Sequence, residues 1–238
     1  MNNPATLLVP EKTDTEFDQV VATWLKRGGT IRQLGKYWIK EETLAQQKIA
    51  IYGNQTFALV LAQIYNVTLL SPDDTLIARL EARWVKRHIR AIQLKDIRRT
   101  DFPAFIKPVI PKLFIAGIFD KPEDFNAATH GLEDTEFILI AEIVHDIRAE
   151  ARAFISNSVI MDIALYEGAA NLPDGYQFLS DFIATYQTVL PSVVVVDIAF
   201  SAHAGWFILE FNACWGAGLN NCVADKVIDC IIGATINK

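Results

Sequence analysis

The sequence predicts an α+β fold in which a small α/β region precedes a larger set of antiparallel strands. Three observations carry this expectation. The first is the order strand, glycine turn, helix, strand over residues 48–70, KIAIYGNQTFALVLAQIYNVTLL, which marks a parallel βαβ unit. The second is a pair of β-rich stretches, residues 150–167 and 193–212, each broken by a short turn. The third is a change of pattern near residue 100, which divides the chain into 1–98 and 99–238.

Taken in order, residues 5–9 (ATLLV) read as a strand. Phe17, Val20, Val21, Trp24 and Leu25 recur at helical spacing, and Gly28-Gly29 stops that helix. Residues 48–52 form a second strand, 55–65 an apolar helix and 67–70 a third strand. The turn GNQT lacks both GxGxxG and GxxxxGK[ST], so Gly53 reads as a helix start capped by Asn54 or Thr56 rather than a phosphate loop. Ser71-Pro72-Asp73-Asp74 opens a helix expected to run to about residue 90. It would place Arg83, Arg87 and Arg90 on one face at i, i+4 and i+7. Strand-like segments follow at 101–107, 114–119 and 136–144. A hairpin is expected over 150–167 around Ser156-Asn157, a helix within 172–189, strands at 193–200 and 206–212, and a final helix from about 221.

The bulk numbers narrow the function. At 238 residues and 51% hydrophobic, the chain can build one large core or two small ones. A net charge of −6 and a pI near 5.2 argue against a nucleic-acid binder, whose affinity would rest on a basic face. The run from 79 to 99, with six Arg and two Lys, is a local exception. No stretch approaches the roughly 20 apolar residues of a membrane helix, and the start lacks the basic and apolar regions of a signal peptide. Cys214, Cys222 and Cys230 are odd in number and form no CxxC, so core roles in a reducing cytoplasm are expected.

The strongest chemical signal is VVVVDIAFSAHAGWFILEFNACWGAG, residues 193–218. Side chains alternate along a strand, so Glu210 and Asn212 share a face. Pairing Ser201 with Trp206 would set Asp197 opposite Glu210, where two carboxylates repel unless a cation lies between them. Two carboxylates and an amide are hard oxygen ligands suited to Mg²⁺. A register shifted by one residue would separate Asp197 from the pair and leave a merely wet polar face.

LEFNACWGAG, with the acidic residue of VVVVD on the partner strand, resembles the ExN signature of the ATP-grasp superfamily. FIKP at 105–108 resembles its phosphate-binding lysine strand, ILIAEIV at 138–144 its adenine hinge, and EARAFI at 150–155 the acidic-x-Arg strand after the hinge. IAIYGNQTFALVLAQIYN and ARLEARWVKRHIRAI resemble the N-terminal region of the ATP-grasp clade named for two arginines and a lysine, specifically its family 3. The resemblance implies two α+β subdomains gripping ATP (99–238), preceded by a small α/β pre-ATP-grasp domain (1–98).

It also implies residue roles. Lys107 would hold the ATP phosphates with Lys112 as a second contact, and Glu142 and Val144 would offer backbone groups to adenine. Glu150 would bond the ribose, and Arg152 would stabilise charge on the transferring phosphoryl group. Asp197, Glu210 and Asn212 would ligate Mg²⁺. Tyr166 and Asp162 are candidates to line the acceptor pocket. Ligases of the superfamily often carry an arginine two residues before the first acidic ligand, where this chain has Val195. Arg152 or one of Arg83, Arg87, Arg90 and Arg99 would supply that charge instead. The implied activity is ATP-dependent joining of a carboxylate to an amine, small molecule or peptide, through an acyl phosphate. A small-molecule phosphotransferase and a non-catalytic nucleotide-binding protein are the alternatives. The implied partners are ATP and the two substrates, with no membrane or nucleic acid, and a homodimer is left open.

Overall fold

The computed structural model describes residues 4–12 and 14–237. In chain order the elements are β1 (Thr6–Pro10), α1 (Thr15–Lys26), β2 (Thr30–Leu34), β3 (Ile49–Ile51), α2 (Gln55–Tyr65), β4 (Val67–Leu69), α3 (Ala82–Val85), β5 (Ile89–Gln93), β6 (Ala104–Pro108) and β7 (Gly117–Phe119). Then follow α4 (Pro122–Ala128), β8 (Phe137–Ala141), β9 (Ile147–Ser156), β10 (Val159–Gly168), α5 (Leu172–Tyr186), β11 (Val193–Ser201), β12 (Gly205–Asn212), α6 (Ala224–Gly233) and β13 (Thr235–Asn237). Helix and strand mix throughout, as an α+β fold requires.

The described residues divide into two compact units. One draws on Met1–Pro72, Ala149–Ile198 and Glu210–Lys238, the other on Asp73–Arg148 and Ala199–Leu209. Compactness thus interleaves segments, in contrast to the linear division at residue 98 suggested by motif order.

In the first unit, α1 begins where the Asp14 carboxylate accepts from the backbone N–H groups of Glu16 and Phe17, both at 3.0 Å. It buries Val20 and Trp24, whose indole donates to the Ala5 carbonyl at 3.0 Å. Asn54 caps α2 by accepting from Phe57 N at 3.1 Å, as its sequence position predicts. The parallel sheet has the order β2-β1-β3.

This differs from the expected βαβ unit. The parallel crossover is β1-α1-β2, whereas β4 leaves the sheet and pairs antiparallel with β13, Leu69 opposite Thr235 and Val67 opposite Asn237. The reason lies at the free edge of β3. Asn237 both accepts from Ile49 N and donates to Ile49 O at 2.9 Å, and the Thr235 hydroxyl accepts from Ile51 N at 3.0 Å. Side chains of β13 therefore satisfy the edge that β4 was expected to cover. Leu7, Leu8, Ile49 and Ile51 form one core with Phe57 and Leu61 of α2, Val193 and Val195 of β11, and Val227, Ile228 and Ile231 of α6.

In the second unit the sheet is antiparallel, order β5-β8-β6-β7, with Ile106 opposite Ile140 and Ile92 opposite Ile138. Phe125 of α4 and Phe114 pack on this face with Ile106, Ile138 and Ile140. The helix expected up to residue 90 is not continuous. A 3-10 turn at Leu76–Arg79 ends in extended backbone at Leu80 and Glu81, α3 lasts four residues, and Lys86 turns left-handed at φ 53°. Beyond it, β-branched Ile89 and Ile92 gain more by pairing with β8 than by continuing a helix. Arg83, Arg87 and Arg90 consequently share no helix face.

The remaining sheet has the order β10-β9-β11-β12. The β9–β10 hairpin turns at Asn157-Ser158, with φ 48° and 65°, one residue later than expected and suited to a two-residue primed turn. Register shifts fall at Met161 and Tyr166. No helix among the described residues is long and apolar enough to cross a membrane.

Candidate functional site

Strand β9 reads IRAEARAFIS, so Glu150 and Arg152 lie two residues apart on one face. Arg152 faces β11, where its Nε donates to Asp197 Oδ1 at 2.8 Å and its Nη2 to Asp197 Oδ2 at 2.6 Å. The remaining Nη1 donates to the Gly218 carbonyl at 3.0 Å. The two side chains are 10% and 1% exposed, so this fork is an enclosed, bidentate ion pair. Burial works to lower the Arg152 pKa, but Asp197 outweighs it and the guanidinium is held charged.

Asp197 meets a second carboxylate through an amide. Asn212 Nδ2 donates to Asp197 Oδ2 and to Glu210 Oε1, each at 3.0 Å. Burial pushes the Asp197 carboxyl up to about 6, with Arg152 opposing and the charge of Glu210 adding to the rise. The three residues picked from the hairpin are therefore in contact. The amide N–H groups bridging the carboxylates mark the point where two negative potentials overlap.

That residue set fits Mg²⁺ in kind, since two carboxylates and one amide offer hard oxygens once the Asn212 amide turns its oxygen, rather than its N–H groups, toward the carboxylates. A carboxylate offers about four lone-pair positions, and Arg152 and Asn212 take three of those on Asp197. Among the described residues no group of three or more His, Cys, Asp or Glu is arranged to hold a metal, so an ion held here would use the Asn212 amide as its third side-chain ligand.

Around this centre the supports are local. Tyr166 sits at a β-bulge of β10, which turns its ring toward β9. Its hydroxyl donates to Glu150 Oε2 at 2.5 Å, and its ring lies 5.9 Å from the Arg152 guanidinium carbon. Burial and the Glu150 bond raise the Tyr166 pKa and keep the phenol protonated. The loop after β12 is fastened by Glu16, whose carboxylate accepts from Leu219 N at 2.9 Å and Asn220 N at 2.8 Å. A Cβ at Gly218 would fall 2.5 Å from Glu16 Oε2, so a larger residue there would push against the tether. Gly53 donates to the Trp215 carbonyl at 2.9 Å, a packing role that agrees with its reading as a helix start. Asp162 accepts from Val223 N and from Lys226 Nζ and so ties down the start of α6.

The second unit carries the other predicted residues. Lys107 is half-buried on β6 opposite Leu139, sharing a sheet face with Phe105. Its charge eases the Asp74 carboxyl, which partial burial and Asp73 raise. Lys112 is exposed in a turn at φ 70°. Glu142 donates its N–H to the His88 carbonyl at 3.0 Å and accepts from His88 N at 2.8 Å through its carboxylate. Val144 is half-buried. Of the arginines considered for the charge absent at Val195, Arg83 pairs with Glu81, Arg90 with Asp101 and Arg99 with Glu123. Among the described residues, the Arg87 guanidinium hydrogen-bonds carbonyls alone: Val85 O at 3.0 Å, Ile208 O at 3.2 Å and Leu209 O at 3.1 Å. Sequence reasoning missed that clamp and the Glu16 tether, because both join residues more than 120 positions apart.

Residues 84–230, more than half of the chain, match the model of the ATP-grasp domain of family 2 in the clade named for two arginines and a lysine. The chain belongs to that ATP-grasp family. The clade is the one its sequence resembles, and the family within it is 2, not 3. Solved structures share this ATP-grasp fold at low identity. A RimK-domain ATP-grasp protein from Sphaerobacter thermophilus aligns at 12% identity and TM-score 0.58, over 96% of this chain and all of the other. The D-alanine–D-alanine ligase of Bacillus anthracis, complexed with ATP, aligns at 12% identity and TM-score 0.57, over 98% and 97% of the two chains. The macrocyclase MdnC of Microcystis aeruginosa, bound with its precursor peptide, aligns at 10% identity and TM-score 0.55, over 96% and 99%. Comparison with curated proteins gives no match.

Proposed function

We propose that this ATP-grasp protein is an ATP-dependent carboxylate–amine ligase working through an acyl phosphate. One observation carries the reading: Asp197, Glu210 and Asn212 converge beside the Arg152 guanidinium on a fold shared with ligases. In this reading those three residues hold one or two Mg²⁺ ions, which when bound neutralise the β- and γ-phosphates of ATP. Lys107 binds the same phosphates, with Lys112 in support. The carbonyl of Glu142 and the backbone of Val144 serve the adenine edge, since the Glu142 N–H is already spent on His88. Glu150, oriented by Tyr166, bonds the ribose. Arg152 stabilises charge as it develops on the transferring group. Residues 1–98 act as the pre-ATP-grasp region.

A substrate carboxylate oxygen attacks the γ-phosphorus in line and ADP leaves. An amine then attacks the acyl carbon and phosphate leaves. The protein's work is mostly positioning and charge neutralisation. The relatives named above include a ligase of a small amino acid and a peptide macrocyclase, so small amino acids and peptides are the acceptors to try first.

The test is incubation with ATP, Mg²⁺ and a panel of carboxylates in hydroxylamine. The expected result is hydroxamate and ADP in step, both abolished in Glu210→Ala with an unchanged circular dichroism spectrum. Retained turnover in a folded Glu210→Ala would sink the metal assignment. ADP release with phosphorylation of a hydroxyl acceptor and no hydroxamate would make the protein a phosphotransferase instead.

A further inference from the structure

Arg87 is the one arginine of the 79–99 run, among those weighed for the charge absent at Val195, that meets no carboxylate among the described residues. Its guanidinium is desolvated, which pulls its pKa down to about 10, and it lies 5.2 Å over the Phe207 ring. Enclosing a cation without a counter-charge is costly, so the contacts it does make call for an explanation. Two of them are the carbonyls of consecutive residues, Ile208 and Leu209, taken by Nη1 and Nη2 of the same fork. A regular strand sends successive carbonyls to opposite edges, so one planar group that reaches both grips β12 at two consecutive peptide units. β12 is an edge strand with β11 on one side only, so no second ladder would hold those peptide units. The next residue is Glu210, and Asn212 follows two later.

We propose that Arg87 is a positioning residue for the metal ligands. By clamping the Ile208 and Leu209 carbonyls it sets the twist from which the Glu210 and Asn212 side chains leave the strand. The inference rests on the reading of Glu210 and Asn212 as Mg²⁺ ligands. Partners that orient metal ligands without touching the ion typically govern ten- to a hundredfold in affinity.

The experiment is calorimetric titration of ADP into the full chain, once with Mg²⁺ and once with EDTA, for wild type, Arg87→Gln and Arg87→Lys. Wild type should bind ADP more tightly with Mg²⁺. Arg87→Gln should lose roughly tenfold or more of the Mg²⁺-loaded affinity while the metal-free affinity stays within about twofold. Arg87→Lys keeps the charge without the fork and should fall between the two. If Arg87→Gln fails to fold by near-ultraviolet circular dichroism, the same split is read from Arg87→Lys alone. Equal losses with and without Mg²⁺ would reduce Arg87 to a structural role, and unchanged Mg²⁺-loaded affinity would remove it from the site; either result overturns the inference. A wild type that binds ADP equally well with and without Mg²⁺ would overturn the metal reading of Glu210 and this inference together. Loss confined to the variants separates the two.

Discussion

Asp197 and Arg152 are the least exposed ion pair among the described residues, and that enclosure makes each dependent on the other. Asp197→Ala leaves a guanidinium without its carboxylate in a desolvated place. Such a change should destabilise the protein by about 3–5 kcal/mol, read as a lower urea midpoint. Adding Arg152→Met should recover part of the loss, because it removes the stranded charge as well. The cysteines give a second expectation at this scale. Burial pushes the Cys222 thiol up to about 12, and its Sγ sits 3.3 Å from the Arg152 carbonyl. All three thiols are buried and free, so Ellman's reagent at pH 8 should titrate them only after denaturation. The sign of the pH effect follows: the folded chain keeps the Cys222 proton up to about 12, while an unfolded thiol ionises near 8.5. Stability should therefore fall as pH rises from about 9, and Cys222→Ala should flatten that slope.

At the scale of elements, the seam of β3 with β13 is held by side chains rather than a backbone ladder. Thr235→Val is nearly isosteric but strands the buried Ile51 N–H, and should cost about 1–3 kcal/mol by urea unfolding. This seam also shows what the sequence hides. β13 is three residues long and β2 is TIRQL, mostly polar and exposed, so neither carries a period that distinguishes a strand from a loop. Residues 74–90 misled in the opposite sense. Leu76, Leu80 and Trp84 keep a helical spacing, yet the chain breaks first at extended Leu80 and Glu81 and again at Lys86, which turns left-handed without a glycine to announce it. The β11–β12 hairpin was legible because strict alternation left Glu210 and Asn212 on one face. The partnership of Arg152 with Asp197 was not, since it needs the placement of β9 beside β11 across 45 residues.

For the molecule as a whole, the path of the chain matters more than its length. It passes between the two compact units four times, and the first unit takes its core from three distant segments. A fragment covering 99–238 would retain Asp197, Glu210, Asn212 and Arg152 but would lose Leu7, Leu8, Ile49, Ile51, Phe57 and Leu61, against which α6 packs. We expect that fragment to be insoluble or to lack a cooperative thermal transition by calorimetry, and mixing it with 1–98 to restore one if the halves associate. The Glu16 tether belongs to the same logic, because a helix near the start holds the loop that follows β12.

The order of synthesis gives that weave a temporal side. β1, β3, α1 and α2 emerge first, yet their apolar faces and the bare edge of β3 wait for α6 and β13. At ~5–20 residues per second the wait lasts on the order of ten seconds. During it the nascent chain presents a hydrophobic sheet edge of the kind that chaperones shield. A ribosome stalled before residue 224 would therefore display an unfinished first unit, one in which Glu210 and Asn212 are already made but have no settled surroundings.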